Sequence, residues 1–458
     1  MAIVNNISTV LTVFVSIAYA FQIFYFLLSL LDEGRSRYLV LQAKKKGLPF
    51  AEAVDYSLHQ DRRFAFVIAA RNEELVISHL VQSIRSQNYP GDLIDVYVVA
   101  DNCTDSTARV AREAGAVVYE RFNTNLVGKG YAMDYLFKHI REDKGSWDVY
   151  DGYFVFDADN ILDKNYINEM NTVFEKSTKH KRIVTGYRNS KNFDTNWITA
   201  GYGIAFMREA KYLNHPRTIV KGSCTVSGTG YLVSHEIIEE NNGWPYQLLT
   251  EDIQLSADYI SRGERIAYAK NAVFYDEQPV TLIQSWNQRM RWTKGFYQVI
   301  FKYGGALLKN MFKDRSMTLS RYDMFMFLAP SVFFNIATLA LSIFAIALNL
   351  SDFNAAMAML PFGVKAVLQG ALSYYLVNLA QAFFTVVTEW DRILAPNSKK
   401  IGYMFTYPIF MFTYIPLSFF ALFTRVKWRP IKHTVSTSID EMERQYGRGR
   451  HKIEHEEY

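Results

Sequence analysis

Cysteine is nearly absent from this sequence, which contains only Cys103 and Cys224. Two cysteines are too few for a disulfide framework and fit a reducing compartment. The dense basic stripe that nucleic-acid binding would require is also missing. Basic residues occur in short runs beside apolar segments, and the net charge is only +5 over 458 residues. The composition therefore predicts no nucleic-acid partner and no disulfide scaffold.

Several short nucleotide and metal motifs are missing as well. No G-x-G-x-x-G follows the first predicted strand, and no P-loop occurs anywhere. The sequence also lacks an H-E-x-x-H motif, cysteine pairs at zinc spacing and internal repeats. A nucleotide, if the protein binds one, is therefore not held by a dinucleotide or Walker loop.

Long apolar runs are present at both ends of the chain. Half of the residues are hydrophobic, yet 21% are charged, which indicates a polar domain joined to membrane segments. The first run, about Ser8–Leu31, can cross a ~30 Å hydrocarbon core at ~1.5 Å per residue. A signal peptide cleaved near Ala20 is the competing interpretation, but residues 1–6 lack lysine and arginine and the run continues beyond Ala20. Basic residues follow the run, so the positive-inside rule places the rest of the chain in the cytosol.

Three further apolar runs predict membrane segments near the C-terminus: about Met324–Leu350, Ala356–Val387 and Ile401–Phe423. Simple alternation of four spans puts the tail outside, whereas the basic residues after Thr424 argue for the inside. Two prolines in the last run favour a kinked or re-entrant element. We predict a multi-pass protein of the plasma membrane with a cytosolic soluble domain, and the number and parity of the C-terminal spans stay open.

The soluble region, from Asp61 to about Asp276, alternates short β-rich runs with helical stretches. FAFVIAA, DVYVVA, AVVYER and GYFVFDADN predict strands, and stretches such as ELVISHLVQSIRSQ predict the helices between them. This alternation predicts an α/β domain whose mostly parallel sheet is covered on both faces. Ligands bind at the carboxyl ends of the strands in such sheets, so functional residues should follow the strands.

Polar clusters follow three of the predicted strands: residues 70–74, residues 101–105 and residues 157–160. Each cluster alone is compatible with helix caps and turns. Three clusters at successive strand ends of one sheet instead favour a binding site. Asp157 and Asp159 can converge on Mg²⁺ or Mn²⁺, with diphosphate oxygens and water completing the coordination.

Two further motifs follow later in the chain. Thr250-Glu251-Asp252 precedes a helical stretch, and acidic residues at a helix start complement the helix dipole. The functional interpretation makes Asp252 a general base. The structural and the functional interpretation can hold at once. If Thr281–Phe301 is helical, Gln288, Arg291 and Trp292 share one face. An interfacial amphipathic helix explains the composition of this stretch, but not why these three residues lie together.

Taken in order, these motifs resemble those of the membrane-integrated family 2 glycosyltransferases, the group of cellulose, hyaluronan, chitin and poly-N-acetylglucosamine synthases. The resemblance covers about Phe64–Trp292, with membrane segments on both sides. It implies a GT-A domain inserted between transmembrane helices. The motifs are an early strand-end Asp, D-x-D, a T/E-E-D-like triplet and Q-x-x-R-W, present here as Asp101, Asp157-Ala158-Asp159, Thr250-Glu251-Asp252 and Gln288-Arg289-Met290-Arg291-Trp292.

The resemblance also implies a role for each motif residue in handling a UDP-sugar. Asp252 would be the catalytic base, with Thr250 and Glu251 beside it, and Asp159 would bind Mg²⁺ or Mn²⁺ with Asp157 close by. The loop Ser227-Gly228-Thr229 aligns loosely with the acceptor-site loop, although it departs from the cellulose- and hyaluronan-synthase versions. The donor would be bound by Ala70, Arg71, Glu73 and Asp101 around the uridine, by Lys129 near the nucleotide, and by Gln288, Arg291 and Trp292 over the diphosphate and the acceptor end.

The implied reaction is an inverting, metal-dependent transfer of a sugar from UDP-glucose or UDP-N-acetylglucosamine to the end of a growing β-linked polysaccharide. Members with Q-x-x-R-W usually add sugars repeatedly and export the chain. About four spans are few for enclosing a polymer, so a homo-oligomer or an accessory export subunit is a further expectation. Two alternatives stay open: single transfer to a lipid or short acceptor, and a catalytically inactive sugar-nucleotide sensor.

The predicted organisation has six parts along the chain. They are an N-terminal transmembrane helix (1–32), a cytosolic linker (33–60), the GT-A catalytic domain (61–278), interfacial amphipathic helices with Q-x-x-R-W (279–320), a C-terminal transmembrane region of about three segments (321–425) and a charged tail (426–458).

Overall fold

The computed structural model of the protein describes residues 2–45, 60–176, 181–328, 353–426, 433, 435–437, 441, 442 and 444. Within these ranges the strands form one sheet in the order β3-β2-β1-β4-β7-β6-β8-β5. The strands are β1 (Phe64–Ala70), β2 (Ile94–Asp101), β3 (Val117–Arg121), β4 (Gly152–Asp157), β5 (Ile161–Leu162), β6 (Ile183–Ser190), β7 (Tyr231–Ser234) and β8 (Ile266–Asp276).

Helices cover the sheet and extend from it toward the apolar ends of the chain. In chain order they are α1 (Ala2–Lys45), α2 (Ile77–Arg85), α3 (Thr107–Glu113), α4 (Lys129–Lys144), α5 (Tyr166–Lys176), α6 (Trp197–Glu209), α7 (His215–Ile219), α8 (His235–Glu240), α9 (Glu251–Arg262), α10 (Leu282–Lys309), α11 (Thr318–Leu328), α12 (Phe353–Thr388), α13 (Asn397–Phe412) and α14 (Tyr414–Phe423).

Strand β1 shows why the sheet is buried on both faces. Its uninterrupted apolar sequence is typical of a central parallel strand. Phe64, Phe66 and Ile68 pack into one core cluster, whereas Ala65 and Val67 pack into the cluster on the other face. The α/β sheet with helices on both sides, predicted from the sequence, is confirmed.

The strand pairing places three polar clusters at one edge. Strand β1 runs parallel to both β2 and β4, with Ala70 opposite Ala100 and Ala69 opposite Asp157. The carboxyl ends of the three strands therefore meet at the same edge. The sheet is mixed further along, because β7 pairs antiparallel with β4 and β6.

The N-terminal helix packs against the soluble domain as well as against the C-terminal half of the chain. Helix α1 continues past Leu31, where the predicted span ends, to Lys45. The Ser29 hydroxyl donates to the Lys211 carbonyl oxygen at 2.7 Å, and the Tyr25 hydroxyl donates to Asp323 at 3.2 Å. These buried contacts fix the domain against the helix.

Three helical stretches of the described residues are long and apolar enough to cross a membrane: Ile17–Leu39, Val367–Thr388 and Asn397–Phe423. They correspond to the first, third and fourth apolar runs of the sequence and suggest membrane association. Most of the second predicted run, Met324–Leu350, lies outside the described residues, and its first residues form the end of α11.

Helix α10 links the sheet domain to the last apolar stretch. Arg289 is fully buried and donates to the Thr413 hydroxyl at 2.6 Å and to the Phe410 carbonyl oxygen at 3.4 Å. These acceptors lie where α13 ends and α14 begins. A guanidinium that donates hydrogen bonds at a helix break satisfies a carbonyl group that the break frees. The prediction that the last apolar run is kinked therefore agrees with the break at Thr413.

Gly295 allows α10 to pass close to the start of α9. A Cβ atom at Gly295 would lie 2.5 Å from the Thr250 hydroxyl oxygen. Gly295→Ala is therefore expected to force the helices apart and to lower the free energy of unfolding by about 1–3 kcal/mol. Gly305→Ala in the same helix is the matched control, because no atom lies within 4 Å of its Cβ position.

The comparison is made by thermal unfolding of both variants in detergent. Gly305→Ala is expected to be neutral or slightly stabilising, since alanine favours a helix. Equal midpoints for the two variants would contradict the close approach of α10 to Thr250.

Candidate functional site

One cavity of about 560 Å³ opens at the carboxyl edge of β1, β2 and β4. It brings together almost every residue that the sequence singled out. The predicted residues on its wall are Ala70, Arg71, Glu73, Asp101, Lys129, Asp157, Asp159, Ser227, Gly228, Thr250, Glu251, Asp252, Gln288, Arg291 and Trp292.

Thr229 is the exception among the predicted acceptor-binding residues. It is buried and does not line this cavity. Its hydroxyl accepts from the backbone N–H of Asp157 at 2.8 Å and donates to the Asn160 side chain. The hydroxyl is thus engaged within the protein, where it fixes the end of β4.

Two asparagines shape the loops after β1 and β2. Asn72 and Asn102 have φ angles of 59° and 53°, in the left-handed region that asparagine tolerates better than most residues. The Asn72 side chain accepts from Thr104 N at 2.8 Å, and the Asn102 side chain accepts from Asn123 N at 2.8 Å. Part of each polar cluster therefore holds the loops in place, as expected for residues of caps and turns.

Asp101 ends β2 inside the cavity with its charge already balanced. Arg121 donates to its carboxylate at 2.5 Å, and both side chains are buried. The Asn102 amide donates to the same oxygen at 3.0 Å. The carboxylate is therefore held in one orientation at the strand end.

Lys129 joins three separate parts of the site. Its ammonium group lies 2.6 Å from Asp157, 3.4 Å from Glu251 and 2.8 Å from the Gly228 carbonyl oxygen. Burial lowers the pKa of Lys129, but the charges of Asp157 and Glu251 outweigh it and raise the pKa above the ordinary value. The group is therefore a fixed cation at neutral pH.

Asp252 lies at the start of α9 with its carboxylate on the cavity. The backbone N–H of Gly228 donates to it at 2.5 Å. Gly228 has a φ of +81°, and this left-handed conformation lets the loop aim its N–H at the carboxylate. Burial raises the pKa of Asp252, opposed by backbone N–H groups and by the charge of Lys129. A carboxylate with a raised pKa is a stronger base than a solvated one.

Asp159 faces a group of positive charges. The backbone N–H of Glu277 donates to it at 2.9 Å, and the His433 ring lies 4.0 Å away. Burial raises the pKa of Asp159, but the charges of His433 and Lys191 outweigh it and lower the pKa. The carboxylate is therefore ionised across the neutral range.

These carboxylates fit a divalent cation that a diphosphate would help to bind. No group of three metal-ligating side chains occurs among the described residues. Asp157 and Asp159 line the same cavity, and each already has a cation within 4.0 Å, Lys129 and His433 respectively. A site with one or two carboxylates suits Mg²⁺ or Mn²⁺ that takes its other ligands from phosphate and water.

The predicted shared face of α10 is confirmed. Gln288, Arg291 and Trp292 all line the cavity, whereas Arg289 points to α13 and α14. Arg291 donates to the Leu249 carbonyl oxygen at 3.2 Å, and the Gln288 amide oxygen is buried with no hydrogen-bond partner among the described residues. Trp292 meets the Tyr202 ring edge-on at 5.7 Å.

Sequence reasoning missed Arg208 of α6 and two further cationic groups of the site. Arg188, on β6, pairs with Asp276 and stacks on the Phe206 ring at 3.8 Å. His433 comes from the C-terminal segment and lies 2.9 Å from Glu73. Neither residue belongs to a short motif, and only the folded chain brings them to the cavity. The sequence gives one signal for Arg188: it is a basic residue within a largely apolar strand, which indicates a buried functional or paired charge.

The chain is similar to known glycosyltransferases. The model of the family described as "Glycosyltransferase like family 2" matches residues 61–295. A β-monoglucosyldiacylglycerol synthase of Synechocystis is 28% identical over 52% of this chain and 48% of its own length. A probable glycosyltransferase, YdaM of Bacillus subtilis, is 25% identical over 81% of this chain and 85% of its own length. A poly-β-1,6-N-acetyl-D-glucosamine synthase of Staphylococcus aureus is 23% identical over 54% of this chain and 58% of its own length.

The chain thus spans about half the length of the first of these relatives. Among solved structures, a mannosyltransferase from Pyrobaculum calidifontis in complex with GDP-mannose and Mn²⁺ matches with a TM-score of 0.48 and 16% identity, over 87% of this chain and 97% of that one. The soluble domain has the GT-A-like α/β arrangement that the sequence predicted.

The carboxyl of Glu251 provides a test of the buried charge cluster that it forms with Lys129 and Asp157. Burial raises the pKa of Glu251 from 4.5 to about 7. Because the folded protein holds this proton more tightly than the unfolded chain, the stability contributed by Glu251 is full below about 4.5 and is lost as the pH rises to about 7. Glu251→Gln lacks this titration, so its thermal-unfolding midpoint should rise relative to wild type over that range.

Glu113→Gln is the control, since Glu113 is exposed and pairs with Arg109 on the same helix. Its midpoint reports the effect of losing one surface carboxyl. If the difference between Glu251→Gln and wild type stays constant between about pH 4.5 and 7, Glu251 is not buried as described.

Proposed function

Because this chain belongs to glycosyltransferase family 2, we propose that it is a membrane-integrated enzyme that transfers a sugar from a UDP-sugar to an acceptor hydroxyl with inversion. The observation that carries the proposal is the shared cavity of Asp159, Asp252 and Arg291. A base, a metal-binding carboxylate and a phosphate-binding cation around one space are what an inverting transfer requires.

The reaction follows from the positions of these groups. Asp252 takes the proton of the acceptor hydroxyl, whose oxygen forms a bond to the anomeric carbon while the bond to the β-phosphate oxygen breaks. UDP leaves on the opposite face, so an α-linked donor gives a β-linked product. Arg291 and Lys129 stabilise the charge that the diphosphate gains. A divalent cation bound at Asp157 and Asp159 would neutralise part of the same charge.

Other predicted residues would orient the donor. Asp101, Ala70, Arg71 and Glu73 lie at the ends of β1 and β2, where the uridine would bind. Trp292 offers an aromatic ring beside the reacting sugar. The Ser227-Gly228 backbone would lie opposite Trp292. The Gly228 N–H, which donates to the Asp252 carboxylate, would hold this base in its orientation.

We further propose that the acceptor is the end of a β-linked polysaccharide, which grows by repeated transfer and leaves through the membrane helices. The similarity to a poly-N-acetyl-D-glucosamine synthase supports this acceptor. A lipid acceptor is the second candidate, favoured by the similarity to a β-monoglucosyldiacylglycerol synthase. In both cases the GT-A domain would lie in the cytosol, on the inner face of the plasma membrane. Export of a polymer would call for an oligomer or an accessory subunit.

The proposed base is tested with Asp252→Asn, which keeps the shape of the side chain but cannot accept the proton. Transfer from UDP-glucose or UDP-N-acetylglucosamine should fall at least about 10²-fold, the contribution typical of a general base. Asp92→Asn, an exposed carboxyl at the opposite end of β2, should keep wild-type rates. The assay uses purified protein with Mg²⁺ or Mn²⁺. Chromatography of the product gives the rate and the chain length, and NMR of the product gives the linkage.

If Asp252→Asn releases UDP at the wild-type rate, Asp252 is not the general base. A wild-type protein that binds UDP-sugars but never releases UDP with any of these donors would instead support the sensor.

The metal site is tested with Asp159→Asn. Loss of one anionic ligand should raise the Mn²⁺ concentration for half-maximal activity at least about tenfold, with partial recovery at high Mn²⁺. The amide still accepts a hydrogen bond from the Glu277 N–H, so the loop should keep its conformation. An unchanged Mn²⁺ requirement would place the cation elsewhere.

A further inference from the structure

Arg188 lines the cavity, although the proposed reaction assigns it no role. Its side chain, on β6, is only 13% exposed, and neighbouring groups hold it on three sides. A guanidinium carries five N–H donors in a rigid planar fork, so it can bind acceptors on two sides at once. The groups that these donors reach therefore indicate what Arg188 does.

The first of these groups is the Asp276 carboxylate at the end of β8. The Nε of Arg188 donates to one carboxylate oxygen at 2.7 Å, and a terminal nitrogen donates to the same oxygen. Gln278 donates to the other oxygen at 2.6 Å. The peptide unit that follows Asp276 carries the Glu277 N–H, which donates to Asp159 at 2.9 Å. Holding the Asp276 side chain therefore helps to hold the peptide unit that orients Asp159.

The second group is the peptide unit between Ser227 and Gly228. The other terminal nitrogen of Arg188 donates to the Ser227 carbonyl oxygen at 3.1 Å. The N–H of this same peptide unit, on Gly228, donates to the Asp252 carboxylate. Because a peptide unit is planar, a hydrogen bond that fixes its C=O also fixes the direction of its N–H. Arg188 therefore acts on the proposed base through a single peptide unit.

The guanidinium lies directly against this turn. A Cβ atom at Gly228 would lie 3.4 Å from the Nη1 of Arg188, and the Phe206 ring covers the guanidinium at 3.8 Å. The turn has two other anchors. The Thr229 N–H donates at 3.0 Å to the carbonyl oxygen that Arg188 binds, and Lys129 donates to the next carbonyl oxygen at 2.8 Å. Loss of Arg188 is therefore expected to reorient the turn rather than to release it.

We propose that Arg188 is a positioning residue for the sugar transfer. It orients the base Asp252 through the Ser227-Gly228 peptide unit. It orients the metal ligand Asp159 through the carboxylate of Asp276. The inference rests on the proposed sugar transfer, and it adds the residue that ties the base of this reaction to its metal site.

Two other roles for Arg188 make different predictions. If Arg188 only compensates the buried charge of Asp276, an uncharged pair of similar size should replace the ion pair without loss of activity. If Arg188 instead binds the donor diphosphate directly, its loss should weaken the binding of UDP even without a metal ion.

The test compares Arg188→Gln, Arg188→Lys and the double variant Arg188→Gln/Asp276→Asn with wild type, all as full-length protein. UDP-glucose and UDP-N-acetylglucosamine are the donors. Three quantities are measured: the kcat for UDP release, the affinity for Mn²⁺ in the presence of UDP, and the affinity for UDP without metal. The electron paramagnetic resonance signal of free Mn²⁺ gives the second quantity, and calorimetry gives the third.

Arg188→Gln should lower kcat at least about tenfold, since a misplacement of about 1 Å can cost about 10²-fold in rate. It should also weaken Mn²⁺ binding about tenfold, as loss of a group that supports a metal ligand commonly does. The affinity for UDP without metal should stay at the wild-type value, which shows that the variant folds. The double variant should keep the low kcat, because the Ser227 carbonyl oxygen still lacks its guanidinium donor.

Arg188→Lys separates the two branches of the proposal. Its ammonium group can still pair with Asp276, so most of the Mn²⁺ affinity should return. An ammonium group lacks the fork that reaches Asp276 and the Ser227 carbonyl oxygen together, so kcat should stay low.

Arg62→Gln is the matched control. Arg62 also pairs with an aspartate, Asp151, at 2.7 Å, and its guanidinium lies 5.9 Å from the Phe174 ring. Because Arg62 precedes β1, this pair lies at the opposite edge of the sheet from the cavity. Its kcat and Mn²⁺ affinity should equal those of wild type.

Four results would overturn the positioning role. They are wild-type kcat or Mn²⁺ affinity in Arg188→Gln, wild-type kcat in the double variant, full recovery of kcat in Arg188→Lys, and weaker binding of UDP without metal in Arg188→Gln. Absence of UDP release by the wild-type protein with every donor would instead count against the proposed sugar transfer. The Mn²⁺ affinities of the variants would still test the branch that leads to Asp159.

Discussion

A buried ammonium group needs acceptors around it, and Lys129 obtains them from segments that are far apart in the chain. Asp157 comes from the end of β4, Glu251 from the start of α9, and the Gly228 carbonyl oxygen from the loop before β7. Removing Asp157, which lies 2.6 Å from the ammonium group, would weaken the compensation of a buried charge, which is costly. The cluster therefore fixes the three walls on which the site depends, before any ligand binds. A diphosphate that enters would find the cation already in place.

Helix α10 completes the site because its two faces have different tasks. Arg289 anchors one face to the break between α13 and α14, and Gly295 allows the helix to pass close to Thr250. With the helix held at both points, Gln288, Arg291 and Trp292 are presented to the cavity. The position of these three residues is thereby coupled to the packing of the apolar helices. In a membrane-integrated transferase, this coupling would set the acceptor path and the donor site in a fixed relation.

The sequence predicted the features that depend on local residue patterns. The apolar run of β1 and the polar residues directly after β1, β2 and β4 were enough to place one edge of the sheet, because parallel strands end together. The helical spacing of Gln288, Arg291 and Trp292 predicted their common face. Thr229, predicted to bind the acceptor, does not line this cavity, because its hydroxyl is engaged at the end of β4.

Residues that reach the cavity by tertiary packing could not be predicted in this way. Arg188 and Arg208 belong to apolar segments, where a single basic residue has no periodic signature. His433 is separated from Glu73 by most of the chain, and only the fold brings them to 2.9 Å. The prediction of membrane topology is limited for the same reason. Hydropathy gives the length of an apolar run but not the partner against which the run packs.

The central claim is that distant carboxylates and the α10 guanidinium converge on one sugar diphosphate. The most direct measurement is an experimental structure of the full-length protein with UDP and Mn²⁺, in which the anomalous signal of manganese locates the ion independently. The account predicts manganese beside Asp159, the β-phosphate within hydrogen-bond distance of Arg291, and the uridine at the ends of β1 and β2. Nucleotide bound on another surface, or manganese away from both Asp157 and Asp159, would contradict it.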